Sequence, residues 1–534
     1  MNNKSITLIF LFFAILYCGR SGQVYELKSS SYEQEDYYDY SSGASGISDG
    51  ESPKIARFKE KEKRVFNTEE YDSVEENGIL SVANKPLSTF SIDVDTASYS
   101  NMRRYLNYGN RPPLGAIRTE ELVNYFNYDY APPGGSEAFL VHTEMAKTPW
   151  NPEHLLLQIG IKGRGIDKER APLNLVFLLD VSGSMDSPNK LPLLKKAFSL
   201  LSEGLTQNDR VSIVVYAGAS GMVLKPTPGS EKDKILDALE KLSAGGSTNG
   251  GAGIELAYSL AEKNFIKNGV NRVILATDGD FNVGPSSQSD LVNLIQKKAK
   301  SGVFLTVLGF GMGNYKDSSM EKLADKGNGN YAYIDTLNEA KKVLVREMNG
   351  TLFTIAKDVK IQVEFNPNLI KAYRLIGYEN RKLADKDFAD DKKDAGDIGA
   401  EHSVTALYEL IPVNSNTKIP DKIPLKYQKK ANPGNNQSEA VTVKLRYKKP
   451  DAKKSELLIY PVKYEERSLE NSSQNMRFAT AVASFSLLLR ESKYIGDMNF
   501  DKVYNLAKAA KGQDRYGYRE EFLGLVKKAK EIYK

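Results

Sequence analysis

Cysteine is nearly absent from this 534-residue chain: Cys18 is the only one, so no intramolecular disulfide can form. A folded body without cysteine fits an exported protein that avoids stray thiols, and it fits many cytosolic proteins as well. Histidine is scarce too. His142, His154 and His402 lie far apart, and no H-E-x-x-H helix joins any two of them. The single tryptophan, Trp150, follows Pro149 and reads as a packing anchor. Charge of one sign is also missing: 73 Lys and Arg against 68 Asp and Glu leave a net charge of +5, with both signs interspersed. That excludes the one-sided basic face of a nucleic-acid binder. What remains is the composition of a folded protein, 41% hydrophobic and 26% charged, long enough for several domains and without internal repeats.

No apolar run reaches the ~20 residues that a membrane-spanning helix needs. Ile6 to Tyr17, broken only by Thr7, follows Lys4 and has the length of a secretory signal core. Ile15-Leu16-Tyr17-Cys18 resembles a bacterial lipobox, in which the cysteine is lipidated; Tyr17 stands where that motif usually has a small residue. The expectation is a signal peptide over 1–18 and an exported protein anchored through Cys18 to a membrane of the bacterial envelope, facing the periplasm or the cell surface. Residues 19–83 are poor in large aliphatics and include the charged run Lys59-Glu60-Lys61-Glu62-Lys63-Arg64. They read as a flexible tether, unable to bury enough apolar surface to offset chain entropy.

The rest divides by texture. Residues 84–170 hold an alternating stretch, Phe90 to Asp95, two helical stretches at 98–108 and 119–126, and strands at 138–145 and 154–162. From 171 to 350, strands alternate with helices. Leu173 to Leu179 is continuously apolar, as a parallel strand buried on both faces should be, and Leu193, Leu194, Ala197, Leu200 and Leu201 follow at helical spacing. Capping boxes at Ser230–Asp233 and Ser287–Asp290 open two further helices. This predicts a doubly wound α/β fold with a mostly parallel sheet. Residues 351–465 carry half-buried alternating strands, clearest at 359–365 and 441–447, and 466–534 read as helices. Strands on both sides of the α/β unit raise the expectation that it is inserted in one β-sandwich.

Two buried strands of the α/β unit deliver carboxylates at their carboxyl ends, where open α/β sheets place ligand sites. The first ends in Asp180-Val181-Ser182-Gly183-Ser184, the second in Thr277-Asp278-Gly279-Asp280, and between them lies Gly245-Gly246-Ser247-Thr248-Asn249-Gly250-Gly251. Asp180, Ser182, Ser184, Thr248 and Asp278 make a set of hard oxygen donors, which select Mg²⁺, Ca²⁺ or Mn²⁺ over Zn²⁺ or Cu²⁺. Mg²⁺, which tolerates few carboxylates and keeps water, is the expected ion.

In order and setting, these five residues resemble the metal-ion-dependent adhesion site of the von Willebrand factor A family. The resemblance covers residues 171–350. It implies direct ligation by Ser182, Ser184 and Thr248, with Asp180 and Asp278 acting mainly through water or serine hydroxyls. It also implies a coordination position left for an acidic residue of a protein partner. Phe90–Tyr99, Leu275–Gly284 and Phe478–Ala483 look like segments of bacterial A-domain lipoproteins.

Chemistry finds little support. Gly245 to Asn249 fails the G-x-S-x-G elbow at its last position, and the glycine loop lacks the G-K-[ST] of a nucleotide cradle. Asp93 and Asp95 read as a structural turn, since Ser98 stands where a calcium loop needs glycine. Asp280 is either an outer neighbour of the site or a solvated loop residue. The leading expectation is metal-dependent protein binding in adhesion or envelope assembly, with no enzymatic activity, no nucleotide and no nucleic acid. The alternatives are a scaffolding lipoprotein whose metal stabilises the fold, and a metal-assisted hydrolase. Lipidation is tested by metabolic labelling with a clickable fatty acid: the wild-type chain incorporates label and Cys18→Ala does not, whereas label retained by Cys18→Ala refutes the anchor.

Overall fold

In a computed structural model of the chain, the described residues are 69–73, 75–135, 137–166, 170–246, 250–279, 288–313, 315–419 and 438–534. The expected signal segment, Cys18 and the expected tether up to residue 68 lie outside them, as do Thr248, Asp280 and Ser287; the end of the stretch expected as tether instead joins the fold, where Leu80–Ser81 pairs with Tyr373 and Ala372 and Val82 is buried. No described helix is long and apolar enough to cross a membrane.

The α/β unit is built on six strands in the spatial order Tyr331–Ile334, Val303–Phe310, Val270–Thr277, Leu173–Asp180, Arg210–Tyr216 and Ser220–Pro228. All neighbours run parallel except the last pair. Leu173–Asp180 is buried along its whole length, and its side chains alternate between two cores. Leu175, Phe177 and Leu179 join the helix Leu191–Glu203 on one face. Val176 and Leu178 join Ile254, Ala257 and Tyr258 of the helix Gly250–Lys263 on the other. The doubly wound expectation therefore holds. Ser220–Pro228 is an antiparallel edge strand that the sequence reading does not contain: all its residues but Thr227 are exposed or half-buried, so its apolar pattern is faint. The helix at Lys232–Glu240 forms, but from Glu231 as its first flanking residue and without a side-chain cap from Ser230.

Two antiparallel sheets flank this unit, and each takes strands from both sides of it. In one, Leu155–Gly163 pairs with Ser403–Pro412, Leu157 opposite Tyr408. In the other, Leu87–Ser91 pairs with Thr354–Phe365, Phe90 opposite Ile361. Their facing side chains, including Leu157, Ile159, Ile361, Val363, Tyr408 and Val443, share one core, so the two sheets form a sandwich. The entry and exit strands of the α/β unit touch. A Cβ on Gly163 would come within 2.9 Å of Ile355 Cδ1, so glycine lets the two segments meet. A fourth core joins the helices Ala97–Asn107 and Thr119–Asn124 to the C-terminal helices Gln474–Leu489, Phe500–Ala509 and Tyr518–Ile532.

Two elements absent from the sequence reading carry buried charge at core positions. In the strand Ile370–Ile376, Arg374 is 1% exposed and pairs with Glu409 at 2.7 Å and Glu76 at 2.8 Å. Along Asp317–Lys326, Asp317 and Glu321 turn inward to Arg118, each at 2.8 Å. The alternating stretch at 90–95 is a strand only to Ser91. Asp93 and Asp95 beyond it form a turn, with Asp95 N donating to Asp93 Oδ1 at 3.1 Å. Arg381 reaches both at 3.0 and 3.3 Å, and also Glu321 at 3.0 Å and Asp325 at 2.8 Å.

At this seam, among the described residues, Asp93, Asp95, Glu121, Asp317, Glu321 and Asp325 have Arg118 and Arg381 as their direct ion-pair partners. Burial is the first cause that pushes Asp95, Glu121 and Glu321 above the usual carboxylate range, and the Asp93 charge adds to it. Carboxyls raised in the native state hold protons that the unfolded chain has already released. Their contribution is complete at acidic pH and is lost as pH rises above the ordinary carboxylate value. The melting temperature is accordingly expected to fall between about pH 5 and about pH 8, with Glu321→Gln flattening the slope. Parallel profiles for the variant and wild type, measured by scanning calorimetry, would contradict this.

Candidate metal centre

The order of strands reverses at Leu173–Asp180. The chain moves to one side for Arg210–Tyr216 and returns to the other for Val270–Thr277. Loops leaving the carboxyl ends at such a point diverge and open a crevice. Asp180 is the last residue of the central strand, and Asp278 follows directly on its neighbour.

Asp180 is fully buried and held on both oxygens. Its Oδ1 accepts from Ser182 N at 2.9 Å, and its Oδ2 from Thr277 Oγ1 at 3.1 Å and Tyr216 OH at 3.2 Å. Burial lifts its carboxyl above the usual range, opposed by hydrogen bonds from Ser182, while the Asp278 charge adds to the rise. A carboxylate tied this way orients the loop and has little left to offer an ion directly. The next two donors are less encumbered. Ser182 and Ser184 stand with their hydroxyl oxygens 3.0 Å apart, the first buried and the second exposed.

The glycine loop docks on this segment through its backbone. Gly183 N donates to Gly246 O at 3.1 Å, and Gly245 N to Val181 O at 2.8 Å. That brings Gly245 and Gly246 against the segment that carries the serines, while Thr248 lies outside the described residues. Asp278 is 1% exposed, and its Oδ2 accepts from the Lys190 ammonium at 2.8 Å. After it the chain turns at Gly279, whose φ of +102° is open to glycine and strained for other residues; Gly279 N caps Thr277 Oγ1 at 3.2 Å.

Four of the five expected residues are thus described. The Asp180 loop and Asp278 sit at adjacent strand ends, close enough for the two carboxylate charges to act on each other. The donors fit a hard divalent cation: two carboxylates and two hydroxyls, with an ammonium group already drawn onto one of the carboxylates. Sequence reasoning missed Tyr216, Thr277 and Lys190. Thr277 and Tyr216 end the two strands that flank Asp180, a position that could have marked them. Lys190 had no such signal, being one lysine among many at a helix start.

Elsewhere, Asp93, Glu121 and Glu321 bring carboxylate oxygens within 4.8 Å of one another. Arg118 and Arg381 occupy their lone pairs, so ion pairing accounts for that group. A cavity of about 420 Å³ bounded by Asp95, Arg272, Arg381 and Asp397 lies at the amino ends of the strands, away from Asp180 and Asp278.

Comparison with known proteins agrees with this architecture. The family model described as von Willebrand factor type A domain matches residues 174–346. One described as von Willebrand factor matches 65–158, and one described as uncharacterized protein YfbK, C-terminal, matches 350–532. The chain is 43% identical over 490 residues to the uncharacterized protein YfbK of Escherichia coli (strain K12), covering 90% of this chain and 84% of that one. It is 27% identical over 166 residues to inter-alpha-trypsin inhibitor heavy chain H4 of Homo sapiens, covering 30% of this chain and 18% of that one. Among solved structures, a von Willebrand factor type A protein from Catenulispora acidiphila aligns with a TM-score of 0.41 at 14% identity, over 75% of this chain and 91% of that one. The similarity to YfbK runs through both flanks of the α/β unit as well as through the unit itself: the chain belongs to the YfbK family and carries a von Willebrand factor type A domain.

Proposed function

We propose that this chain is a lipid-anchored, exported protein that binds an acidic residue of a protein partner through a divalent cation held on Asp180, Ser182, Ser184, Thr248 and Asp278. Mg²⁺ is the expected ion, and Ca²⁺ and Mn²⁺ suit the same donors. The observation that carries the reading is the paired Ser182 and Ser184 hydroxyls just beyond the carboxyl end of the central strand, backed by a buried, fully engaged Asp180. Ser182, Ser184 and Thr248 would hold the ion directly, Asp180 fixes the loop that presents the serines, and Asp278 adds charge behind them. The bound ion supplies an electrophilic centre that a carboxylate side chain recognises.

Binding is favoured over catalysis by what surrounds the crevice. His142, His154 and His402 all belong to the sandwich strands or their approaches, so none is placed to take a proton beside Asp180. The engaged Asp180 is also an unsuitable general base, because its oxygens already accept three hydrogen bonds.

The hydrogen bonds on Asp180 decide which variant is informative. Asp180→Ala removes the acceptor shared by the buried Tyr216 and Thr277 hydroxyls and is expected to lower stability by about 1–3 kcal/mol even in EDTA. Ser184→Ala removes an exposed hydroxyl and is expected to leave the melting temperature in EDTA unchanged while weakening Mg²⁺ binding at least about tenfold. In pull-downs from envelope extracts analysed by mass spectrometry, one set of proteins should be retained by the wild-type chain with Mg²⁺ and lost with EDTA or Ser184→Ala. Retention that ignores both changes would refute metal-dependent binding. A Mg²⁺-induced rise in melting temperature without any change in capture would favour the scaffolding alternative.

A further inference from the structure

Lys190 opens the helix Leu191–Glu203, where the macrodipole disfavours a positive charge. It is nevertheless drawn inward: the residue is 7% exposed, and its ammonium meets Asp278 Oδ2 at 2.8 Å, with Asp278 itself almost wholly buried. A lysine has four methylenes with which to reach water, and its ammonium is strongly hydrated, so a buried position needs a specific cause. Asp278 supplies the charge partner. Gly311 supplies the room: its φ is +75°, and a Cβ there would lie 2.3 Å from Lys190 Cε. The Gly311 carbonyl is in turn held by the Tyr333 hydroxyl, so the groove under the lysine stem is part of the fold.

This placement changes the charge that the site can offer a divalent ion. Asp180 and Asp278 carry two formal negative charges, and Lys190 offsets one of them from within hydrogen-bonding distance of the second. A third charge, from the acidic residue of a partner, would restore the deficit. Cation and partner then favour each other's binding, because such coupling is reciprocal.

We propose that Lys190 is a resident counter-cation on Asp278 that holds the affinity of the site for a divalent ion below what its donors would give, so that loading depends on the arrival of an acidic partner. The inference rests on the metal-binding reading above. The test is calorimetric titration of the full chain with Mg²⁺ alone. Lys190→Met keeps the length of the stem and removes the charge, and it is expected to bind Mg²⁺ at least about tenfold more tightly than wild type. Lys190→Arg restores the charge and should return the affinity towards wild type, which a merely structural role for the stem would not require. If Lys190→Met melts early in EDTA, Lys190→Gln serves in its place, and the same tightening is expected. Equal or weaker binding by the uncharged variants, with wild type binding Mg²⁺, overturns the role of Lys190 and leaves the metal site standing. Absence of Mg²⁺ binding in wild type and in every variant overturns both.

Discussion

The pairing of Leu155–Gly163 with Ser403–Pro412 is the constraint on which the rest of the molecule depends. It joins segments separated by the whole type A domain, and the pairing of Leu87–Ser91 with Thr354–Phe365 does the same in the facing sheet. Ordinarily the closure of so long a loop would be slow and entropically costly. Here the loop is itself a folded α/β unit whose two ends emerge side by side, as the contact of Gly163 with Ile355 records. Once that unit forms, the sandwich strands that follow it are delivered next to the strands that preceded it.

The seam between the unit and its surroundings is electrostatic where the cores are apolar. Arg118 and Arg381 gather carboxylates from the N-terminal turn, from the helix Thr119–Asn124 and from the helix Asp317–Lys326. Arg103 does the same further along, with Glu339 at 2.7 Å, Glu521 at 3.0 Å and Asp335. Planar guanidinium groups suit this role because each can engage several carboxylates at fixed angles. The excess of carboxylates over arginines makes the seam sensitive to pH, while the apolar cores on either side are not.

The candidate metal centre lies at the carboxyl ends of the two central strands. Its arrangement follows from the sheet. Strand order reverses at the central strand, which ends in Asp180, and its neighbour ends beside Asp278. The rigid parts of the site are those locked by the strands, Asp180 with Tyr216 and Thr277. The serine pair is carried on a short turn anchored to Asp180 Oδ1 and to Gly246 O. The proposed recognition site therefore sits on a loop, held through the adjacent Ser182 and Gly183 amides.

Local pattern sufficed for much of this. An unbroken apolar run identified the central strand, periodic leucines identified its helices, and alternate oxygen-bearing residues after the strand marked Asp180, Ser182 and Ser184 as candidate site residues. Each of these signals lies within a few residues of itself. The strand Ile370–Ile376 and the helix Asp317–Lys326 escaped because their buried positions carry Arg374, Asp317 and Glu321, and a charge reads as exposed until its distant partner is known. The edge strand Ser220–Pro228 escaped because one-sided exposure erases the apolar pattern. The sequence by itself determined the fold class and the order of the candidate donors. Only the tertiary structure decided that Asp180 is held by three hydrogen bonds and that Lys190 lies on Asp278, because those contacts join segments that nothing in the local chain relates.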